Sequence, residues 1–316
     1  MNEMQPYISI CIPAYKQAGM VRRLLDSIVS QSFKNFEVII TDDSADNAIA
    51  LLSAEYSNLL PLTYFHNTIP LGTPENWNQA IRLAKGKWIK LMHQDDWFVD
   101  NNVLKKFYEY SVSYPDIRFF FSAFANHDLE KKNIDEVRCN WFQLLLLRLS
   151  PLHLFKKVYV GNPSCTMIRR DVELMYDRRL KFVVDFEYYI RCFQSGTRWK
   201  YIDDCLIHVG FHPNQVTKST FLVPEVQIPE NNLLINSFSS RILNNLFVFD
   251  YYWRMFRNLS IRSFHQAKSF DIHPMPESLV RILKYQFMYP LSILKIGLFS
   301  KLLMLISYVR FQLGKN

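Results

Sequence analysis

The chain lacks the glycine patterns that mark the commonest nucleotide sites. No GxGxxG follows its first predicted strand and no GxxxxGK[ST] occurs, so the dinucleotide-fold and P-loop readings lose their main support. The five cysteines, Cys11, Cys139, Cys165, Cys192 and Cys205, are scattered, odd in number and never spaced CxxC. Cys11, Cys165 and Cys192 sit among apolar residues, which suits buried thiols in a reducing compartment and offers no zinc site. Met1 to Tyr7 has no basic-then-apolar leader, so export is not expected. There is no internal repeat and no low-complexity segment. What is present is a 316-residue chain, 49% hydrophobic and 21% charged, able to build a sizeable core as one large domain or one domain with an appendage. A net charge of +8 points to an anionic partner.

Periodicity orders the first part of the chain. Tyr7 to Ile12 reads as a strand stopped by Pro13. Val21, Leu24, Leu25, Ile28 and Val29 recur at helical spacing, with Arg22, Arg23 and Asp26 on the other face. Phe36 to Ile40 is a second strand, Ala48 to Tyr56 a helix, and Leu62 to Phe65 a third strand. Pro74 opens a helix running to about Ala84. Trp88 to Met92 is a fourth strand. This alternation predicts an α/β fold with a mostly parallel sheet and right-handed crossovers. Beyond it, Asn102 to Val112 reads as a helix, Ile117 to Phe121 as a strand and Ala125 to Asn140 as a loop. Trp141 to Leu149 reads as an apolar helix and Cys165 to Ile168 as a strand. A helix from Asp185 to near Gly196 and two short strands, Trp199 to Ile202 and Cys205 to Val209, complete the pattern.

Polar groups gather where these strands end: Pro13-Ala14-Tyr15 after the first, Asp42-Asp43-Ser44 after the second and Asp95-Asp96 after the fourth. A parallel sheet brings those ends to one edge, where open α/β sheets bind ligands. Two adjacent carboxylates repel each other, and a divalent cation carrying a diphosphate would relieve that. Taken singly, each Asp suits a turn or a helix cap equally well.

Together, Pro13-Ala14-Tyr15, Asp42-Asp43-Ser44, Gly72 with Asn76, Ala84-Lys85-Gly86 and Asp95-Asp96 resemble the family-2 glycosyltransferases of the bacterial surface-polysaccharide type. These are inverting enzymes of the GT-A fold, a Rossmann-like sheet flanked by helices, and they use nucleotide-sugar donors. The resemblance covers residues 6–217 and implies roles. Pro13, Ala14, Tyr15 and Asp42 would cradle base and ribose, with Asp43 and Asn76 in the same donor site. Asp95 would lie nearer the ribose, and Asp96 would hold Mn2+ or Mg2+ on the diphosphate. His212, in His212-Pro213-Asn214-Gln215-Val216-Thr217, matches a late-loop histidine that reaches the metal or diphosphate. Asp185 matches the general base, with Glu187 as runner-up, since inversion requires an acceptor hydroxyl to be deprotonated opposite the leaving group. Asn162 and Ser164 match the loop before the acceptor site, and Trp97, like Trp77 and Tyr188, could stack on a sugar face. Two departures stand out. His93 replaces the first acid of the usual Asp-x-Asp-Asp, and the arginine common near Thr73 to Glu75 is missing.

The last stretch differs from the rest. Residues 1–222 would form the catalytic domain and residues 223–316 a helical extension, with Leu233 to Leu259 helical and a break at His273 to Pro276. After Glu277 no acid remains, while Arg281, Lys284, Lys295, Lys301, Arg310 and Lys315 do. Leu291 to Val309 is long enough to span a bilayer, but Lys295 and Lys301 would each cost about 2.5–3.5 kcal/mol at its centre. A helix lying on an anionic surface avoids that cost, and a core-packed hairpin with solvated lysines is the alternative. The expectation is a cytoplasmic enzyme at the inner face of the cell membrane, with a saccharide or lipid-linked acceptor. A catalytically silent binding protein on the same fold and a nucleotidyltransferase are the competing readings. Nucleic acid is not an expected partner, because the basic residues gather in an apolar tail.

Overall fold

The computed structural model describes residues 5–212, 215, 220–271 and 273–314. Strands β1 (Ile8–Ala14), β2 (Phe36–Asp42), β3 (Leu62–His66) and β4 (Trp88–Leu91) alternate with helices α1 (Ala18–Val29), α2 (Ala48–Tyr56) and α3 (Glu75–Leu83). They pair in parallel in the order β3-β2-β1-β4. β1 is central and buried on both faces: Ile8, Ile10 and Ile12, on one face, pack with Val21, Leu24, Leu25 and Ile28 of α1 in one fully buried cluster, and Ser9 and Cys11, on the other, are buried too. Burying each such side chain contributes about 1.5–3 kcal/mol. Pro13, expected to stop the strand, is its sixth residue.

The sheet continues through strands that are not all parallel. β5 (Trp97–Phe98) and α4 (Val103–Ser113) come first. They are followed by β6 (Phe119–Asp128), β7 (Asn133–Val137), α5 (Trp141–Leu149), β8 (Thr166–Arg169), α6 (Val184–Gln194) and β9 (Trp199–Phe211). The full order is β3-β2-β1-β4-β8-β6-β9-β5, with β7 on β6. β8 runs antiparallel to both β4 and β6, while β6 and β9 are parallel.

Two sequence expectations are corrected here. Ala125 to Asn140 is not a loop: it holds the end of β6 and all of β7. That hairpin is polar, and four of the five β7 residues are exposed, so it carries no apolar alternation to read. The two short strands after Trp199 are one strand. The register with β6 slips between Ser122 and Phe124, which lets Asp203 and Asp204 bulge out and look like a turn.

The chain divides into two compact units. The first comprises Met1–Leu145, Tyr159–Arg178 and Tyr188–Pro213; the second comprises Leu146–Val158, Arg179–Glu187 and Asn214–Asn316. The second unit contains α7 (Pro224–Phe238), α8 (Leu246–Asn258), α9 (Phe264–Ser269), α10 (Glu277–Phe287), α11 (Leu291–Leu294) and α12 (Gly297–Leu313). The single helix expected from Leu233 to Leu259 is two, because Asn245 caps a new start by accepting the N–H groups of Phe247 and Val248. Phe249, Tyr252 and Trp253 fill the centre of this unit. Among the described residues no helix is long and apolar enough to cross a membrane.

Candidate active site

The parallel pairing sets the loops after β1, β2 and β4 side by side, as the sequence implied. Ala14 lies opposite Asp42, and Met92 N–H donates to Cys11 O. The loops are tied to one another through buried side chains. Asp42 is fully buried; its Oδ1 accepts Ser44 N–H at 2.8 Å and its Oδ2 the Tyr64 hydroxyl at 2.9 Å. Asp43 accepts the Asn67 amide and the N–H groups of Leu71 and Gly72. Asn76 donates to Thr41 O and Ala14 O and accepts from Asn67. Asp43 and Asn76 are therefore engaged in holding these loops together. Pro13 and Ala14 are buried beneath them, whereas the Tyr15 ring is exposed. Lys16 and Gln17 both adopt positive φ, a conformation uncommon outside glycine. Ser44 helps hold that turn by accepting Lys16 N–H at 2.7 Å.

The acid loop after β4 is braced from every side within the first unit. Asp96 is buried; its Oδ1 accepts Gly210 N–H at 3.0 Å and its Oδ2 accepts from Asn162 Nδ2 at 2.7 Å. Burial, with repulsion from Asp95 next, pushes its pKa up to about 8, against hydrogen bonds from Ser164, Asn162 and Gly210. Ser164 Oγ also accepts His93 N–H. Asp95 is more open, with 16% of its side chain exposed, and His212 Nε2 lies 3.2 Å from its Oδ2. Ligand atoms of His93, Asp95 and Asp96 all fall within 4.8 Å of one another. His93 stacks at 4.6 Å on Trp77, and its buried Nε2 has no hydrogen-bond partner among the described residues. Burial lowers its pKa, so the ring is a neutral donor. His212 thus lies beside Asp95; Pro213, Asn214, Val216 and Thr217 of its loop lie outside the described residues.

Four contributors escaped the sequence reading. Gln94 bridges the β1 and β4 loops, accepting Tyr15 N–H and donating to Tyr15 O. Arg23, expected on the polar face of α1, is half-buried; it donates to Asp95 O at 2.9 Å and lies 3.8 Å over the Trp97 ring. Trp97 is packed on its other contacts by His208 and His127. Lys90 sits in what reads as an apolar strand. It is fully buried and donates to the carbonyls of Ser164 and Thr166, and burial pulls its pKa down to about 7. Gly210 is the closest approach of β9 to the acid loop: a Cβ there would stand 2.3 Å from Asp95 O. Its only signal in the sequence is a glycine inside a strand pattern.

Asp185 is the second residue of α6, in the second unit. Its Oδ1 is buried with no hydrogen-bond partner among the described residues, and burial raises its pKa to about 7. Burial takes this carboxylate out of water and favours its neutral form, despite its place in the first turn of a helix. Glu187 is buried. The turn entering α6 is held by Glu230, whose carboxylate accepts the successive N–H groups of Lys181, Phe182 and Val183 at 2.8, 2.8 and 3.1 Å.

A parallel half-sheet with carboxylates at its strand ends, an antiparallel continuation and a helical C-terminal region define the GT-A glycosyltransferase fold, and solved structures agree. Residues 1–349 of TarS from S. aureus, in complex with UDP-GlcNAc, superpose with a TM-score of 0.62 at 15% identity, over 89% of this chain and 92% of that one. The mannosyltransferase PcManGT from Pyrobaculum calidifontis, in complex with GDP-Man and Mn2+, gives 0.56 at 12% identity, over 99% of this chain and 89% of that one. The family description Glycosyl transferase family 2 matches residues 9–174, and the chain belongs to that family. The putative colanic acid biosynthesis glycosyl transferase WcaA of Escherichia coli (strain K12) is 28% identical over 222 residues, 68% of this chain and 76% of WcaA.

Proposed function

We propose that this glycosyltransferase moves a sugar, with inversion, from a nucleoside-diphosphate-sugar donor to a saccharide or lipid-linked acceptor in cell-surface polysaccharide synthesis. The observation that carries the reading is the acid loop: Asp95 and Asp96 beside His93 and His212, at the edge where the loops after β1 and β2 also end. Residues 1–222 would hold donor and catalytic groups and residues 223–316 would form the extension, at the inner face of the cell membrane. UDP-GlcNAc bound to TarS and GDP-Man bound to PcManGT support a nucleotide sugar as donor.

The residues fit a divalent cation. The unpartnered, neutral His93 Nε2 and the two carboxylates form a mixed nitrogen and oxygen donor set. The two carboxylates suit Mn2+ or Mg2+, and Mn2+ is the ion bound to PcManGT. Asp95 is the more open ligand, and Asp96, gripped by Asn162 and Gly210, fixes its direction. Asp95 thus shares in this proposal the metal-holding role first expected of Asp96 alone, and Asn162 and Ser164 become braces of the acid loop. The cation would neutralise charge building on the leaving diphosphate. Asp42 and the exposed Tyr15 ring would hold the nucleoside. Asp185 would take the acceptor proton, its raised pKa matching that work near neutrality. Trp97 is assigned to orienting Arg23 beneath the acids, and Glu187 to the packing of α6.

The test is a screen of the purified chain against a panel of nucleotide sugars with Mn2+, followed by calorimetry of the best nucleotide. Asp95→Ala should abolish the metal-dependent part of nucleotide affinity. Equal metal dependence in native and variant chains would overturn the assignment, and absence of turnover with every donor would favour the silent binding protein.

A further inference from the structure

Helix α12 is apolar on its outward face as well as its inward one. A helix on a protein surface normally turns its apolar stripe inward. Here the residues facing the protein are Ser300, Met304, Ser307 and Phe311, exposed by 1%, 2%, 0% and 2%, so that half of the inward face is polar. Ser300 accepts from the Trp253 indole N–H at 3.2 Å and from Arg257 at 3.0 Å, which fixes this rotation of the helix within the second unit. The outward face is apolar: Leu298 is 80% exposed, Leu302 54%, Val309 54% and Leu313 71%, with Phe299 and Ile306 alongside.

At about 100° per residue these six side chains cover an arc of roughly 100°. Lys301 falls about 60° beyond one edge of that arc and Arg310 about 20° beyond the other, both exposed. The segment leading into α12 repeats the chemistry, with Met288, Ile293 and Ile296 exposed beside Lys284 and Lys295. From residue 278 onward there is no acid to offset these charges. An apolar stripe flanked by cations, on a helix that does not span, is the pattern of a helix seated in the headgroup layer of a bilayer.

We infer that α12 docks the protein flat on an anionic lipid surface, with Leu298, Leu302, Val309 and Leu313 entering the acyl boundary and Lys301 and Arg310 at the headgroups. Cationic flanks select an anionic bilayer over a second copy of this chain, whose matching face would bring like charges together. The inference deepens the membrane placement proposed above, yet its geometry stands without any assumption about sugar transfer.

The experiment is flotation of the full chain with phosphatidylcholine vesicles, with and without phosphatidylglycerol, at low and high salt, and with no donor present. The native chain should float with the anionic vesicles and be released tenfold or more, in order of magnitude, by salt or by omitting phosphatidylglycerol. The double variant Leu302→Glu with Ile306→Glu should lose roughly tenfold or more of its bound fraction while melting as the native chain does, since both residues are exposed. A native chain that binds neither vesicle, or a variant that binds as well as native, overturns the inference. So does a native dimer that the variant splits, because the face would then belong to a second copy. Failure here leaves transfer to a soluble acceptor untouched, and failure of transfer leaves flotation untouched.

Discussion

Two carboxylates in this protein are buried to opposite ends. In the acid loop, Asp96 is wrapped: Gly210 and Asn162 each donate to one of its oxygens, and Ser164 adds to them. At the start of α6, Asp185 has a bare Oδ1. Burial raises both pKa values, to about 8 and about 7. The hydrogen bonds on Asp96 favour its ionised form and fix its direction, and a cation beside it would lower its pKa again. Nothing comparable relieves Asp185. In the proposed function the first carboxylate would be held for geometry, as a metal site requires, and the second for basicity, as a proton acceptor working near pH 7 requires.

The sharpest way to break this contrast is Asp185→Asn. Turnover should fall by ~10²–10⁴, the usual worth of a positioned base, with donor and Mn2+ affinity unchanged. In the native enzyme log kcat should rise with pH and level off above about 7, as Asp185 ionises. Stability should run the other way. The folded pKa lies above the ordinary 3.8, so the fold is favoured most at acid pH and loses that advantage as pH rises through about 7. Asp185→Asn should therefore melt higher than native at pH 8, by an amount that shrinks toward acid. A variant with full activity, or with lowered stability at pH 8, would place the base elsewhere.

Gly210→Ala tests the other side. The added Cβ would meet the backbone carbonyl oxygen of Asp95 at 2.3 Å, so the acid loop or β9 must shift. Displacing groups that orient metal ligands should weaken Mn2+ affinity by ~10–100-fold, and overpacking should cost about 1–3 kcal/mol of stability. Calorimetric titration with Mn2+ and thermal melting read both. The pH midpoint of kcat should stay near 7, because Asp185 is not involved; a moved midpoint would mean that the two carboxylates are coupled.

The wrapped site was far more legible in the sequence than its wrapping. Asp42, Asp95 and Asp96 stand at strand ends, and strand ends follow from apolar runs that stop, so periodicity finds them. His212 was found through the resemblance of its loop. Arg23, Lys90 and Gly210 were not found. Arg23 falls on the polar side of α1, and its burial depends on β5 arriving with Trp97. Lys90 reads as a solvated interruption until β8 supplies carbonyls for its ammonium. The β6–β7 hairpin was missed because its charged edge has no core to alternate against. The misses at Arg23, Lys90 and Gly210 each involve a tertiary partner brought from far along the chain, which no local pattern encodes.

The smallest effect should come from Glu230, which shapes the bare site without touching any ligand. Its carboxylate takes the three N–H groups that precede α6, and these donors would otherwise be left at a helix entrance with no intrahelical acceptor. Glutamine keeps one oxygen and turns an NH2 toward N–H groups, so at least one donor loses its partner. Glu230→Gln should cost ~1–3 kcal/mol in melting experiments, the range for hydrogen bonds to a charged acceptor. The turn presenting Asp185 should loosen, lowering kcat several-fold, within about tenfold. Because Asp185 keeps its buried, unpartnered Oδ1, the pH midpoint of kcat should remain near 7 and the donor Kd should not change. A fall in kcat with the midpoint unmoved separates positioning from basicity. If the midpoint drops toward the ordinary carboxylate range instead, the turn held by Glu230 is what keeps Asp185 dry, and Asp185 owes its raised pKa to that turn.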